Sequence, residues 1–376
     1  MIGIFCVFSV LLGVAYATII GLYIYYWRQI PIYDKPLTKA AAKATVSIVI
    51  AARNEADNIL DCLGAIQKQS YPAELLQIIV VNDHSEDETA ELITQFFPRV
   101  QLLHLPKGST GKKQALTLAI SKAESEWIVT TDADCTMKED WLSYLMSFCA
   151  VHEPQMLAAP VSFQHEKSIF EYFQTLDFMG MMGVSGAGIQ GEFMYLCNGA
   201  NLCYRRQVFE EVNGYAGVEH LASGDDMLLM EKIVKKYPDG LAYLKQSMAQ
   251  TYTQAKPTFA SFLSQRLRWA TKSGSYQSWQ TKAILAVVWL FCWAIFVHFL
   301  LAVVVDTSYG WYGLLLFACK AIADYFFLGM MARFFGRAGL MRYFIPSLIY
   351  HWVYILIVGT WSLLQKKYDW KGRSVR

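Results

Sequence analysis

Two aspartates one residue apart, Asp132 and Asp134, end the apolar run Trp127-Ile128-Val129. A strand that stops in an Asp-x-Asp pair places clustered carboxylate oxygens at the rim of a sheet. Such oxygens suit a hard divalent cation, Mg²⁺ or Mn²⁺, that bridges phosphates. The pair therefore indicates a metal-assisted site for a nucleotide diphosphate, although the same residue types also form ordinary strand-to-helix turns.

An alternation of strands and helices must position this pair. Four apolar runs, at 46–51, 77–81, 100–105 and 127–131, are typical of buried parallel strands. Helical patterns follow the first three, at 56–69, about 87–97 and 112–123. This order predicts an α/β fold with an open, mostly parallel twisted sheet and flanking helices, whose ligand lies beyond the carboxyl ends of the strands.

Polar side chains cluster where three of these strands end. They belong to Asn54, Glu55, Asp83, Ser85, Asp132 and Asp134. Because the carboxyl ends of parallel strands meet at one edge, we expect these groups to face one crevice. Ser85 is also well placed to cap the following helix, and we interpret it as a cap.

A glycine- and lysine-containing loop, residues 107–113, precedes the third helix. Its Gly111 and Lys112 can bring an ammonium group and helix N–H groups to a phosphate. The spacing does not fit a P-loop, which requires four residues between its glycines and a Ser or Thr after the lysine. No Gly-x-Gly-x-x-Gly follows the first strand either, so an ATPase and a dinucleotide-binding enzyme are both disfavoured.

Gly224-Asp225-Asp226 opens a predicted helix that runs to about Lys236. We interpret Asp225 mainly as a partner of the helix dipole. Asp226 is the sharper candidate, because a carboxylate in an enclosed crevice beside a second one suits a general base.

The stretch 259–276 has an amphipathic helical pattern. Gln265, Arg268 and Trp269 have i, i+3, i+4 spacing, so they share a face that can offer an amide, a guanidinium and an indole to one ligand. The alternative is a basic helix that lies along a membrane surface and is anchored by Trp and Arg.

Apolar runs frame this polar middle. Residues 1–27 and 283–305 carry no charged side chain, and 343–364 approaches membrane length. A further candidate, 308–331, contains Lys320 and Asp324, which we interpret as an intramembrane pair. A signal peptide is the alternative for the first run, but no basic residue precedes it and the run continues to Trp27.

These runs predict a membrane anchor at 1–27, a catalytic domain at 28–258, an interfacial helix at 259–282, two or three spans at 283–364 and a basic tail at 365–376. Lysines and arginines next to the first two runs predict that the catalytic domain faces the cytoplasm. Three spans after residue 282 would put the basic tail on the other side, against the same rule.

Composition excludes one class of partner. The net charge is +2, without the concentrated basic face that nucleic-acid binding requires. The 8 cysteines are scattered and have no zinc-like spacing, so we expect reduced, mostly buried thiols.

Six motifs in order resemble a known family. They are Ala51-Ala52-Arg53-Asn54-Glu55, Asn82-Asp83-His84-Ser85, Gly111-Lys112, Asp132-Ala133-Asp134, Gly224-Asp225-Asp226 and Gln265-x-x-Arg268-Trp269. This combination resembles the membrane-associated inverting glycosyltransferases of family 2, of GT-A fold and Gln-x-x-Arg-Trp type, similar to ceramide glucosyltransferases and processive polysaccharide synthases.

The resemblance implies a role for each motif. The nucleotide-sugar donor, a UDP-sugar in preference to a GDP-sugar, would lie against Ala52, Asn54, Glu55, Asp83, Gly111, Lys112, Asp132, Gln265, Arg268 and Trp269. Asp132 and Asp134 would hold Mg²⁺ or Mn²⁺, and Asp226 would deprotonate the acceptor. Two positions depart from the family pattern, Asn82 and Asp225, where Asp and Glu are common.

The implied activity is a hexosyltransferase that uses a lipid-linked or membrane-proximal glycan acceptor. With few spans available for a polymer channel, single transfer is favoured. The alternatives are a processive polysaccharide synthase and an inactive membrane-anchored protein that binds a nucleotide sugar.

Overall fold

The computed structural model describes residues 2–38, 42–217, 224–270, 278–364, 368–370 and 373–375. Its contacts divide the chain into two compact units. The sheet unit consists of Ile30–His165, Tyr195–Gln254 and Val375–Arg376, and the helical unit of Met1–Gln29, Glu166–Met194 and Ala255–Ser374.

The sheet unit alternates strands and helices. Its strands are β1 Val46–Ala52, β2 Leu76–Asn82, β3 Gln101–His104, β4 Trp127–Thr130, β5 Thr136–Met137, β6 Met156–Ala158, β7 Val161–Gln164, β8 Leu202–Arg205, β9 Leu241–Tyr243 and β10 Thr251–Gln254. Its helices are α2 Ile59–Gln67, α3 Thr89–Phe96, α4 Lys112–Ser121, α5 Trp141–His152, α7 Arg206–Glu211 and α8 Asp225–Lys236, with 3₁₀ turns at Ala73–Leu75 and Ser247–Ala249.

The helical unit contains the long helices. These are α1 Ile2–Gln29, α6 Ile169–Gln190, α9 Phe259–Ala270, α10 Trp279–Val304, α11 Ser308–Phe334 and α12 Phe344–Leu364, with a 3₁₀ turn at Ala338–Tyr343. Two short strands near the end of the chain, β11 Tyr368–Trp370 and β12 Arg373–Val375, pair with each other.

The main sheet confirms the predicted α/β fold. Its 7 strands have the order β3-β2-β1-β4-β8-β6-β9. β1 is parallel to β2 and β4, and β2 is parallel to β3, whereas β8 runs antiparallel to both of its neighbours. The four predicted strands match β1 to β4. Strands β1, β2 and β4 are largely buried apolar runs, whereas β3 lies at the edge of the sheet and is partly exposed.

The first predicted helix begins later than its pattern indicates. Residues 56–58 form a turn instead, because the carbonyl of Glu55 accepts the N–H groups of Asn58 and Ile59 at 2.9 Å each. Asn54 has a φ of 51°, a left-handed conformation that a helix cannot contain. The chain therefore leaves β1 through a tight turn that presents its polar residues at the sheet edge.

A buried amide fastens the second half of the sheet unit. Asn201 is 0% exposed, its Nδ2 donates to the carbonyls of Pro160 at 2.7 Å and Ala249 at 2.8 Å, and its Oδ1 accepts from the Trp141 indole at 2.9 Å. One side chain thereby satisfies three buried polar groups from three separate parts of the unit.

Among the residues that the structure describes, four helical segments are long and apolar enough to cross a membrane: Phe5–Gln29, Trp279–Val304, Ser308–Phe334 and Ala338–Leu363. They coincide with the apolar runs in the sequence, including the run that contains Lys320 and Asp324. The presence of these spans is consistent with a membrane protein, whereas the side of the membrane that the sheet unit faces stays a prediction.

The predicted pair in α11 is present. Lys320 Nζ lies 2.7 Å from Asp324 Oδ2 and 2.9 Å from the Tyr16 hydroxyl, which donates to Asp324 Oδ1 at 2.5 Å. All three side chains are buried. The ammonium, carboxylate and phenol satisfy one another and join α1 to α11, as expected for polar groups inside an apolar bundle.

Helix α6 belongs to the helical unit by its contacts, although sequence reasoning assigns its residues to the domain 28–258. The reason is close packing at glycines. A Cβ at Gly183 would lie 2.2 Å from the Met331 sulfur, and one at Gly180 would lie 3.0 Å from Leu328, so α6 approaches α11 at positions without side chains. The predicted domain boundaries otherwise stay predictions.

All 8 cysteines are free thiols, as predicted, and five of them are buried. Cys149 and Cys203 come closest, with their sulfurs 3.8 Å apart in the core of the sheet unit. That distance is well beyond the S–S bond length, so the pair is reduced.

We expect Asn201→Leu to destabilise the sheet unit by roughly 3 kcal/mol or more, because it leaves two buried carbonyls and one indole N–H without a partner. Chemical unfolding monitored by tryptophan fluorescence measures this loss. The exposed Gln207→Leu is the control and should change the free energy of unfolding by less than about 0.5 kcal/mol. Equal effects of the two variants would contradict the role of Asn201.

Candidate active site

The ends of β1 and β2 bring the first motif against the second. The N–H of Asp83 donates to the carbonyl of Ala52 at 2.8 Å, directly after the register pair Ala52 and Asn82. Asp83 is 2% exposed, and its carboxylate accepts the N–H of Gly111 at 2.9 Å. Three predicted donor-binding residues thus meet at one strand end.

The polar residues after β1 fasten the two neighbouring loops together. Asn54 donates its N–H to Ser85 Oγ at 3.0 Å, and Asn54 Oδ1 accepts the N–H of Glu86 at 2.9 Å. Glu55 donates its N–H to Thr89 Oγ1 at 2.8 Å. The interpretation of Ser85 as a helix cap is therefore wrong, because its hydroxyl binds the loop after β1.

Arg53 is a site residue that sequence reasoning did not single out. It is 8% exposed, and its Nη1 donates to the carbonyls of Asp83 and His84, both at 2.9 Å. His84 has a φ of 53°, and its Nε2 lies 3.0 Å from the carbonyl of Ser109. Arg53 thereby holds the turn after β2 in a conformation that places Asp83 at the crevice. In the sequence, the only signal for Arg53 is that it is a charged residue next to the polar residues Asn54 and Glu55.

The aspartate pair after β4 has the donor set of a cation site. Oxygens of Asp132 and Asp134 and the sulfur of Cys135 all lie within 4.8 Å of one another. Both carboxylates are half-buried, and Cys135 is 1% exposed. Clustered oxygen ligands at the rim of a sheet fit a hard divalent cation, so the residues present suit Mg²⁺ or Mn²⁺.

Lys112 connects this pair to a second acidic motif. Its Nζ lies 2.6 Å from Asp132 Oδ1 and 3.5 Å from Asp225 Oδ2. Burial lowers the pKa of Lys112, but the carboxylates of Asp132 and Asp225 outweigh it and raise that pKa above its usual value. The lysine is therefore a fixed cation. Asp225 interacts with this ammonium group in addition to the dipole of α8.

Asp226 is held by a backbone segment that sequence reasoning gave no role in the site. The N–H of Gly199 donates to Asp226 Oδ2 at 3.1 Å, and the carbonyl of Gly199 accepts from Thr130 Oγ1 at 2.7 Å. Because Thr130 is the last residue of β4, this link joins Asp226 to the strand that ends in the aspartate pair. Asp132 and Asp225 thus flank one lysine, and the negative charge of Asp226 also acts on that lysine.

The predicted residues Gln265, Arg268 and Trp269 lie on α9 in the helical unit. The helix is present from Phe259, as predicted, and the remainder of its predicted range lies outside the described residues. Gln265 Oε1 is buried and accepts no hydrogen bond from the described part of the chain. Whether these three side chains contact a donor stays a prediction.

The mostly parallel sheet agrees with the GT-A fold that the motifs imply, with an acidic pair after β4, a buried aspartate after β2 and a further acidic motif at the start of α8. Residues 47–212 match the family model of Glycosyl transferase family 2. This segment of the chain is therefore similar to glycosyltransferase family 2.

Individual relatives agree with that assignment. The chain is 26% identical over 237 residues to the "Probable glycosyltransferase YdaM" of Bacillus subtilis, covering 60% of this chain and 54% of the relative. It is 23% identical over 256 residues to the poly-beta-1,6-N-acetyl-D-glucosamine synthase of Staphylococcus aureus, covering 66% and 60%. The matches thus span little more than half the length of these relatives.

A solved structure shares the fold. The mannosyltransferase PcManGT of Pyrobaculum calidifontis, in complex with GDP-Man and Mn²⁺, superposes with a TM-score of 0.56. It is 18% identical, and the match covers 92% of this chain and 98% of that one.

We expect Gly199→Val to destabilise the sheet unit by about 1–3 kcal/mol through overpacking. A Cβ at this position would lie 3.3 Å from Lys112 Nζ and 3.4 Å from Asp225 Oδ2, and valine adds two methyl groups to it. Chemical unfolding measures the change. Gly64→Val is the matched control, because a Cβ there meets nothing within 4 Å. If the two valine variants had the same free energy of unfolding, Gly199 would not shape the site.

Proposed function

We propose that this protein is a membrane-bound inverting hexosyltransferase that moves a sugar from a nucleotide-diphosphate donor to a lipid-linked or membrane-proximal glycan acceptor. The observation that carries the proposal is the Lys112 ammonium, which lies 2.6 Å from Asp132 and 3.5 Å from Asp225 and also feels the negative charge of Asp226. A fixed cation suits the binding and departure of a diphosphate. A carboxylate beside it suits the removal of a proton.

The donor is proposed to lie along the carboxyl ends of β1, β2 and β4. Asp83, buried and fixed by Gly111, is suited to bind the base or ribose through its carboxylate. Lys112 is suited to balance the charge of the diphosphate, since it is already held as a cation at this edge. Ala52, Asn54 and Glu55 shape the adjoining turns. Gln265, Arg268 and Trp269 are proposed to bind the diphosphate and the acceptor.

Asp132 and Asp134 are the residues that would hold Mg²⁺ or Mn²⁺. When bound, the cation neutralises charge that develops on the departing diphosphate. PcManGT, which shares the fold, was solved with GDP-Man and Mn²⁺, and this supports a metal-assisted nucleotide-sugar site in the same class of domain. We favour a UDP-sugar as donor and keep a GDP-sugar as the second candidate.

Asp226 is proposed to act as the general base. Its Oδ2 faces Gly199 and its Oδ1 accepts the N–H of Met227 at 2.8 Å, so both oxygens are held in fixed positions. As this carboxylate takes the acceptor proton, the acceptor oxygen bonds to the anomeric carbon on the face opposite to the diphosphate. The bond from that carbon to the diphosphate breaks, the nucleoside diphosphate leaves, and the configuration is inverted.

Two alternatives remain distinguishable. The similarity to the poly-beta-1,6-N-acetyl-D-glucosamine synthase favours a processive synthase as the second candidate. A ladder of long products would support that candidate, whereas one added sugar per acceptor supports single transfer. An inactive nucleotide-sugar-binding protein would retain donor binding and transfer nothing.

We expect Asp226→Asn to bind donor and yet to lower the transfer rate by about 10²–10⁴-fold, because it removes the base without changing the size of the side chain. The assay is a screen of radiolabelled nucleotide sugars on membranes that contain the protein, read as lipid-extractable label. The exposed Asp239→Asn serves as the control and should transfer at the normal rate. Near-normal turnover by Asp226→Asn would refute the role of Asp226.

We expect Asp134→Ala to weaken Mn²⁺-dependent binding of a nucleoside diphosphate by more than about tenfold, because losing even an indirect metal partner costs about 10–100-fold. Titration calorimetry with UDP and with GDP, each in the presence and absence of Mn²⁺, measures this loss. The exposed Asp61→Ala should bind normally. If Asp134→Ala keeps full Mn²⁺ dependence, the metal site lies elsewhere.

A further inference from the structure

The helix that carries Gln265, Arg268 and Trp269 contains a second arginine with a different environment. Arg266 is 4% exposed, and its Nη2 donates to Asp177 Oδ2 on α6 at 2.8 Å. The other oxygen of Asp177 accepts from the Tyr354 hydroxyl on α12 at 2.9 Å. One buried carboxylate therefore joins three helices of the helical unit.

The guanidinium of Arg266 also packs against aromatic rings. Its central carbon lies 4.4 Å from the centre of the Trp269 ring and 4.9 Å from that of Phe262, which are one turn away on either side along α9. The Trp269 ring lies 6.1 Å from the ring of Phe178, the neighbour of Asp177. Arg266 thus contacts Trp269 directly while it is bound to α6.

Such a pair has a clear consequence for the rotation of α9. Each residue of an α-helix turns the chain by about 100°, so fixing the direction of one side chain fixes the directions of all the others. Gln265 precedes Arg266, and Arg268 follows it by two residues. Any rotation that broke the bond to Asp177 would turn both of these side chains away from their present directions.

Stability alone does not account for the pair. Removing two charges from water is costly, and buried ion pairs are frequently replaced by apolar residues of similar volume without loss of stability. The side chains of Arg266 and Asp177 are only 3% and 5% exposed. A planar guanidinium that binds a carboxylate with one edge and covers an indole with its face fixes an orientation, which an apolar pair does not do.

We propose that Arg266, held by Asp177, is a positioning residue that sets the orientation of Gln265, Arg268 and Trp269 toward the donor and acceptor. The inference rests on the proposed function, because it concerns the reaction that these three residues serve. It assigns to Arg266 no contact with either substrate.

The test separates orientation from stability. In the full-length protein in detergent, Arg266→Met leaves the Asp177 carboxylate buried without its partner, and we expect a lower melting temperature and lower kcat. The triple variant Arg266→Met with Asp177→Leu and Tyr354→Phe removes both charges together with the hydroxyl that donates to Asp177. For it we expect a melting temperature near that of the wild type and a kcat still reduced by about 10²-fold, the typical effect of small misplacements at a reacting centre.

A conservative variant gives an independent readout. Arg266→Lys keeps the charge beside Asp177 but loses the planar contact with Trp269, so we expect normal stability and only partial recovery of kcat. A control pair lies in the same unit, where Arg337 Nη2 donates to the buried Glu166 at 2.8 Å. The double variant Arg337→Met with Glu166→Leu should keep a normal kcat.

Two results would overturn the inference. One is a triple variant of Arg266, Asp177 and Tyr354 that recovers kcat together with stability, since this would show a purely structural pair. The other is an equal loss of kcat in the control pair. A failure of the proposed function gives a result distinct from both of these. The wild-type protein would then transfer no sugar from any donor in the same membranes.

Discussion

The structure of the site depends on how several carboxylates are held close together. Asp132 and Asp225 both lie within 4 Å of one ammonium group, that of Lys112. Like charges at such separations repel by several kcal/mol at the effective dielectric near a protein surface, so the arrangement needs a cation at its centre. Lys112, the first residue of α4, supplies that cation. The strand order places β1 next to β4, and this brings the start of α4 close to the end of β4.

The same constraint explains why the loops around the site are so heavily bonded. Arg53 fixes the turn after β2 by binding two carbonyls, and Gly199 fixes Asp226 by its N–H. These contacts keep the acidic groups in place. A nucleotide diphosphate brings negative charge of its own. We propose that Lys112 balances part of this charge permanently, and that the cation proposed at Asp132 and Asp134 balances part of it when the donor is bound.

The helical unit uses buried charge differently. Lys320, Asp324 and Tyr16 satisfy one another completely, as polar groups inside an apolar bundle must. The pair of Arg266 and Asp177 is equally buried, but one of its partners lies inside the Gln-x-x-Arg-Trp motif. The contacts of Lys320 join helices. The contact of Arg266 with Asp177 also joins helices, and we propose that it orients the side chains of the motif.

The sequence by itself determined the α/β alternation, the apolar runs at both ends of the chain and the acidic motifs, because periodicity and strand-end chemistry are local properties of the chain. It left the number of C-terminal spans at two or three. It also indicated the free cysteines and the pair in α11. Only the tertiary structure decided that Ser85 binds the loop after β1, that Asp225 faces Lys112 and that α6 packs with the helical unit at its glycines. Each of these depends on contacts between segments far apart in the chain, and no local pattern encodes such contacts.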